Sequence, residues 1–321
     1  MKKSVAIVYG GYSSEFSVSK KSAHAIYENI DTDLFKPFLV EVTKEGWFVL
    51  LNDVSCTLDK SDFSYTQNDV KSLFDIAFIT IHGTPGEDGK LQAYFDLIDL
   101  PYVNSNVFAS SLTFNKWGCN KFLSQFGLNV AKSVLLRQGD KIDSEFIGET
   151  LNFPCFVKPN DGGSSFGISK VSKKEQLSKA IMDAFEEGKE VVIESTLVGR
   201  EMTCGMYHNG QEVIMLPITE ILTENDFFDY EAKYNGASNE VTPADISNEL
   251  KEKIQSVSKR IYQILGLKSI ARVDYIIDSN NIINIIEVNT NPGMTEESLV
   301  PQQIKAAGLS MKSVLSEVLN D

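Results

Sequence analysis

Short apolar runs alternate with amphipathic stretches along the first third of the chain. Val5–Tyr9 is continuously apolar and stops at Gly10-Gly11. An apolar run this short, bounded by turn residues, predicts a buried strand. Residues 17–30, SVSKKSAHAIYENI, predict a helix with Val18, Ala25 and Ile26 toward a core. Residues 35–42 and 47–51 predict strands, and 74–83 predict a strongly apolar strand that runs into the loop HGTPGEDG. A helix near 91–97 and a short strand at PYVN follow. This βαβ rhythm predicts a mostly parallel sheet, with ligand groups at the carboxyl ends of its strands. Both glycine loops fall at such ends.

The pattern changes after about residue 104. A helix is predicted over 115–126, stopped by Gly127. Short strands follow at VAKSVLLR, FPCFVKP, GISKV and EVVIES, with one amphipathic helix, KKEQLSKAIMDAFEEG. That mixture predicts a smaller α+β unit. The last third has strands at REMTCGMY and EVIMLPITEI, then the polar stretch LTENDFFDYEAKYNGASNEVTPAD at 222–245. It is too long for an ordinary connection and predicts a mobile lid or binding loop. Leu250, Ile254, Val257, Ile261 and Leu265 then form a core-facing helical stripe. The expected division is 1–104, 105–195 and 196–321.

The most informative pattern is SIARVDYIIDSNNIINIIEVNTNPG, residues 269–293. Two strands flank the turn-rich Asp278-Ser279-Asn280-Asn281. Side chains alternate faces along a strand. Arg272 and Asp274 therefore share a face, as do Glu287 and Asn289, and antiparallel pairing across an even loop gathers all four. Val273, Tyr275, Ile277, Ile286 and Val288 take the opposite, core face. Convergent oxygen ligands of this kind suit Mg²⁺, which takes its other ligands from water and substrate phosphates. The alternative is a solvated outer face with a cross-strand salt bridge.

Composition narrows the partners. The net charge of −14 argues against nucleic acid, which needs a basic face. No apolar stretch approaches membrane-spanning length. Cys56, Cys119, Cys155 and Cys204 are scattered without a C-x-x-C spacing, so free thiols in a reducing cytoplasm are expected.

The stretch KPNDGGSSFGISK, 158–170, admits two chemistries. Gly163-Ser164-Ser165-Phe166-Gly167 matches G-x-S-x-G, the serine nucleophile elbow, which would make Ser165 a hydrolase nucleophile. It is also a glycine-rich loop beside Lys158, suited to holding phosphate. An elbow needs a helix after the motif, whereas ISKV reads as a strand. The phosphate-loop reading is favoured.

Several stretches together resemble the D-alanine–D-alanine ligase family of ATP-grasp enzymes. They are GGYSSEFSVSKKSA, HGTPGEDG, FNKWGCNKF, FPCFVKPNDGGSSFGISKV, IESTLVGRE, FFDYEAKY and ARVDYIIDSNNIINIIEVNTNPGMTEESLVP. They run in the family's order over nearly the whole chain. The resemblance implies an α/β and α+β ATP-grasp fold with an N-terminal Rossmann-like, parallel-sheet domain. It implies ATP-driven ligation of two D-alanines through an acyl phosphate, for peptidoglycan precursors. D-alanine is then the small-molecule partner, and relatives are often homodimers.

The resemblance also implies roles. Lys116, Lys158 and Lys233 would contact ATP phosphates, with Ser165 beside them in the loop. Glu194 would read the adenine amino group, Leu197 would wall the adenine and Glu201 would hold the ribose. Asp274, Glu287 and Asn289 match ligands of two Mg²⁺ (or Mn²⁺). Arg272 and the Gly293 N–H would stabilise the oxyanion of the tetrahedral intermediate. Glu15 would fix the first D-alanine's ammonium, and His82 lies in the substrate loop. Ser298 and Leu299 would contact the second D-alanine's carboxylate. Tyr234 would join Glu15 and Ser164 in a hydrogen-bonded triad, which favours D-alanine over D-lactate as second substrate.

Four positions depart from the family's pattern: Phe16, Phe114, Asn115 and Asn120, the last where a second lysine is usual, with Lys121 beside it, and Asn291 stands at a variable position. None removes a metal ligand or the arginine. The rival readings are another carboxylate–amine ligase on the same scaffold, a Ser165 hydrolase, and a nucleotide-binding protein without catalysis.

Overall fold

The computed structural model describes residues 2–52, 54–162, 167–223 and 238–321. The first sheet has the order β6-β5-β4-β3-β2-β1-β7. Its strands are β1 (Lys3–Gly10), β2 (Phe35–Val42), β3 (Trp47–Leu51), β4 (Val54–Asp59), β5 (Ser64–Gln67), β6 (Val70–Ser72) and β7 (Ile76–Ile79). Only β2-β1-β7 is parallel. The glycine loops follow the carboxyl ends of two of these, β1 and β7. The remaining pairings are antiparallel. Connections of a few residues cannot make a parallel crossover, so the chain from 47 to 72 extends the sheet as a ribbon. Helix α1 (Phe16–Asn29) buries Ile26 as expected, but with Ser19, Ser22 and Ala23 rather than Ala25, which is half-buried. Val18 faces the cleft instead of the core.

Helices α2 (Lys90–Leu97), α3 (Val107–Phe114) and α4 (Lys116–Ser124) follow. Asn115 ends α3 and caps α4, its Oδ1 accepting from the Gly118 N–H at 2.7 Å. The second sheet, β11-β10-β12-β9, is antiparallel. It comprises β9 (Ser133–Arg137), β10 (Cys155–Pro159), β11 (Ser169–Val171) and β12 (Glu190–Ser195), covered by α5 (Ser144–Leu151) and α6 (Lys174–Glu187).

The third sheet runs β16-β15-β13-β17-β18-β8, with β14 paired to β13. Its strands are β8 (Asn129–Val130), β13 (Arg200–His208), β14 (Val213–Met215), β15 (Thr219–Thr223), β16 (Ser238–Val241), β17 (Ile270–Ile277) and β18 (Ile283–Asn289). EVIMLPITEI is two strands rather than one, because Pro217 has no N–H to continue a ladder. Part of the polar stretch expected to be loop, 238–241, is strand β16, while 224–237 lies outside the described residues. Helix α7 (Asn248–Leu265) lays its stripe on this sheet, started by Ser247 and stopped by left-handed Gly266.

Two last helices, α8 (Leu299–Ala306) and α9 (Met311–Asn320), return to the first sheet. Val300, Ile304, Val314, Leu315 and Val318 share a core with Val5, Ile7 and Ile26. That core holds the β17–β18 hairpin opposite the carboxyl ends of the first sheet. All four cysteines are free thiols, with Cys56 half-buried and the rest buried. No helix among the described residues is long and apolar enough to cross a membrane.

Candidate active site

A cleft of about 490 Å³ opens where the glycine loops of the first sheet, the end of β10 and the β17–β18 hairpin meet. Of the sequence-derived candidates, Glu15, His82, Lys116, Lys158, Arg272, Glu287, Asn289, Gly293, Ser298 and Leu299 line it. Asp274 and Glu194 are held behind that lining by their ion pairs with Arg272 and Lys158, and Leu197 and Glu201 are not part of it. Ser164, Ser165, Lys233 and Tyr234 lie outside the described residues.

The hairpin wall has the expected face but reaches it differently. Arg272 pairs with Asn289 and Asp274 with Glu287, directly across the strands. The turn holds five residues, 278–282, rather than four, and a bulge after Asp274 shifts the register by one. The two odd shifts cancel, so the charged quartet still shares one face. The bulge also moves Ile286 off the core face to a half-buried position, and Ile283 and Ile285 fill the core instead. Asp274 is buried and accepts from Arg272 Nε and Nη2, both at 2.8 Å, from Thr203 Oγ1 at 2.6 Å and from Asn289 Nδ2 at 3.1 Å. Asp274 is therefore buried, while Arg272, Glu287 and Asn289 are half-buried and open to the cleft. The ion pair Arg272–Asp274, at 2.8 Å, lies within β17.

On the second sheet, Lys158 and Glu194 form an ion pair at 2.7 Å, each side chain only 9% exposed. Asn120 Nδ2 donates to Glu194 Oε1 at 3.3 Å. Lys116 opens α4 and donates from Nζ to the Gly162 carbonyl at 2.6 Å. Buried Asn160 pins these parts together. It accepts from the Trp117 N–H at Oδ1, 2.8 Å, and donates to Glu190 Oε2 at 2.8 Å. Lys121 takes no part, since its Nζ lies 5.7 Å from the Trp117 ring centroid. After the G-x-S-x-G motif comes strand β11, antiparallel to β10, so the helix that an elbow requires is absent there.

The third wall is built by the two glycine loops. Ser13 Oγ donates to the His82 carbonyl at 2.8 Å. Gly83 has φ +71°, and a Cβ there would lie 3.0 Å from the Ser13 Cβ, so the loops meet too closely for a larger residue. Glu15 is buried at the start of α1 and makes no side-chain cap, unlike a surface acid. His82 is buried, and its Nε2 has no hydrogen-bond partner among the described residues. Burial pushes its imidazole toward the neutral form, Arg272 adds to this, and Glu15 opposes it. Glu87 accepts from the Gly83 N–H at 2.7 Å. Burial, then the nearby charge of Glu15, lifts its carboxyl to about 8.

The cleft is closed by the chain leaving the hairpin. A Cβ at Gly293 would stand 2.8 Å from Ser298 Oγ, so a larger residue there would displace the serine hydroxyl. Ser298 occupies the N-cap position of α8, but its hydroxyl caps nothing and bonds back to Thr295 Oγ1 at 2.8 Å. Asn291 donates to the Ile81 carbonyl at 2.7 Å, joining hairpin exit to substrate loop.

Residues 4–105 match the family model for the D-ala D-ala ligase N-terminus, and residues 122–320 match that for its C-terminus. The chain belongs to the D-alanine–D-alanine ligase family. It is 48% identical over 322 aligned positions to a D-alanine–D-alanine ligase of Bacteroides fragilis, covering 100% of this chain and 99% of that one. A D-alanine–D-alanine ligase of Parabacteroides distasonis is 49% identical, with 100% and 98% covered. Among solved structures, a D-Ala:D-Ser ligase of Enterococcus faecalis superposes with a TM-score of 0.89 at 32% identity, covering 100% of this chain and 99% of that one. A D-alanine–D-alanine ligase of Bacillus anthracis complexed with ATP gives 0.80 at 27% identity, with 99% and 96% covered. This D-alanine–D-alanine ligase family member is thus an ATP-grasp enzyme of the ligase class.

Sequence reasoning missed Glu87, Glu240, Thr203 and the Asn104–Asn291 contact. Glu87 was visible as the acid inside HGTPGEDG, yet only the fold shows it half-buried near Glu15. Glu240 lines the cleft from β16, and Asn104 reaches Asn291 at 3.4 Å across 187 residues of chain.

Proposed function

We propose that this chain joins two D-alanines to D-alanyl-D-alanine in the cytoplasm, using ATP to form an acyl phosphate on the first. The observation that carries the reading is the hairpin register, which sets Arg272 opposite Asn289 and Asp274 opposite Glu287 on the cleft face. The donor set suits a hard cation: two carboxylates and an amide. Asn289 points its Nδ2 at Asp274, which leaves its Oδ1 as the acceptor. Asp274, Glu287 and Asn289 would hold two Mg²⁺ (or Mn²⁺), which would screen phosphate charge from the attacking carboxylate.

The chain's own residues supply binding and charge placement. Lys116 and Lys158, with Lys233, offer point charges to the phosphates. Glu194, Leu197 and Glu201 line the adenosine side. Glu15 and His82 hold the first D-alanine at the glycine loops. Its acyl oxygen lies toward Arg272 and the Gly293 N–H, which stabilise the anion formed when the second amine attacks. The amine's electron pair forms the C–N bond, and phosphate departs with the electrons of the acyl C–O bond. The α8 N-terminus, at Ser298 and Leu299, favours the second carboxylate. The triad of Glu15, Ser164 and Tyr234 is part of the same proposal.

ADP release with D-alanine as sole amino acid, together with the product mass, tests the reading. Release and a dipeptide mass are expected. Silence with D-alanine, against turnover with D-serine, L-alanine or D-lactate in the same panel, would assign a different ligase. The 32% identity to a D-Ala:D-Ser ligase makes D-serine the sharpest comparison.

A further inference from the structure

Glu240 stands on the sheet face that carries the charged quartet, at the far edge. It pairs with Ile221 on β15, and Ile221 pairs with Glu201 on β13. Two residues on, Thr203 pairs with Asp274. Residues two apart in a strand share a face, so Glu240 points the same way as Arg272 and Asp274. It lines the cleft with Arg272 and Ser298.

A single side chain fixes its place. Gln302 Nε2 donates to Glu240 Oε2 at 2.6 Å and to the Glu297 carbonyl at 2.8 Å. Among the described residues, Glu240 Oε1 has no hydrogen-bond partner. Gln302 lies four residues beyond Ser298 on α8, and its bond to the Glu297 carbonyl turns its side chain back toward the start of that helix. A ligand carboxylate is favoured at the helix N-terminus, and Glu240 stands on the same cleft as Ser298 and Leu299. Burial raises the Glu240 carboxyl, while Gln302 and Arg272 pull it back down.

We propose that Glu240 receives the ammonium of the second amino acid and thereby sets the preference for an amine over a hydroxy acid. This rests on the ligase reading above. A hydroxy acid such as D-lactate desolvates the same carboxylate and returns no charge to it, so the site discriminates by leaving Glu240 unmatched.

The test is steady-state ligation by the full chain with ATP and magnesium, resolving the affinities of the two D-alanines. Glu240→Gln keeps an acceptor for Gln302 and removes the charge. Its KM for the second D-alanine should rise by about tenfold or more, while that for the first stays within about twofold. In competition between D-alanine and D-lactate, it should form more depsipeptide than the parent. Gln302→Ala keeps the charge and loses the tether, so it should cost less. An unchanged second KM, no gain in depsipeptide, or an equal loss in Gln302→Ala would overturn the proposal. Should Glu240→Gln not fold, Glu240→Asp carries the test. Its retained charge should preserve the parent's product ratio, and a shift toward depsipeptide would overturn the role. A parent that makes no dipeptide from D-alanine ends the ligase reading itself; a parent that does, with Glu240→Gln indistinguishable from it, ends only the role of Glu240.

Discussion

The two long walls of the cleft handle charge in opposite ways. On the second sheet, Lys158 and Glu194 sit 2.7 Å apart, with Asn120 completing the carboxylate's partners. On the glycine loops of the first sheet, Glu87 is lifted to about 8 by burial and Glu15, and His82 is held toward neutrality with Nε2 unpartnered among the described residues. One wall is set by pairing and the other by burial. Pairing fixes geometry whatever the ligand. Burial leaves groups whose protonation answers to any charge that arrives. A wall that must grip a constant nucleotide suits the first design, and a wall around a substrate that changes charge suits the second.

The largest break in this comparison comes from Lys158→Met. Removing one partner of a buried ion pair leaves the other charge uncompensated, at a cost of about 3–5 kcal/mol. Denaturant unfolding should show that loss, and ATP turnover should fall with it. Adding Glu194→Gln should return most of the stability but not the turnover. If the single variant unfolds at the parent's denaturant midpoint, the pair does not stabilise this wall.

Arg272 stands between the walls and tests whether they act together. Arg272→Met should lower kcat by about 10²–10³-fold, the usual loss of an oxyanion donor. It should also raise the His82 pKa, since the guanidinium now disfavours the imidazolium. NMR titration of His82 reads the second effect without turnover. A His82 titration that does not move would separate the hairpin from the loops.

The burial-tuned wall has a signature in pH. The Glu87 carboxyl rises from an ordinary 4.5 to about 8. The folded state therefore holds a proton that the unfolded state has released. Its stabilising contribution is complete below about 4.5 and is lost as pH climbs through about 8. Glu87→Gln removes that slope. Melting temperatures of the two proteins should separate with rising pH, the variant higher by on the order of 5 °C near pH 9. Parallel curves from pH 5 to 9 would mean that Glu87 is ionised throughout.

The hairpin and the glycine loops also differed in how legible they were. Alternation along β17 and β18 gave the chelating face directly, because only one face of that hairpin could be core. It could not give the five-residue turn or the bulge, which breaks the alternation at Ile286, and so it misplaced that residue. The glycine loops offered the opposite problem. Their glycines and acids announce a turn, but nothing periodic says which acid lines the cleft, so Glu87 passed unnoticed. Strands β4 and β6 were missed because they are largely exposed, and the buried Leu58, Phe63 and Tyr65 in this part of the chain fall without a regular apolar period. Helix α3 was missed because VFASSLTF is apolar without a helical period. Lys116 and Lys158 came from family resemblance, and only the fold reveals the contacts that orient them, such as Asn160 reaching α4 from the end of β10.

The smallest expected effect sharpens the comparison most finely. Asn120 stands where relatives usually carry a lysine, and a lysine there would place a second cation against Glu194. Asparagine instead supplies a neutral donor at 3.3 Å, so the carboxylate is shared between one full charge and one dipole. Asn120→Ala should cost about 0.5–1.5 kcal/mol, the net worth of an ordinary hydrogen bond. Most of that should appear in ATP affinity if Asn120 orients Glu194 toward the adenine, and in stability alone if it only fills the core. Asn120→Lys separates the two ideas. Competition for Glu194 should loosen Lys158 and weaken ATP binding without unfolding the sheet. ATP binding by calorimetry, read beside the melting temperature, decides between them. Unaltered ATP affinity in both variants would show that Lys158 alone sets the geometry of this wall.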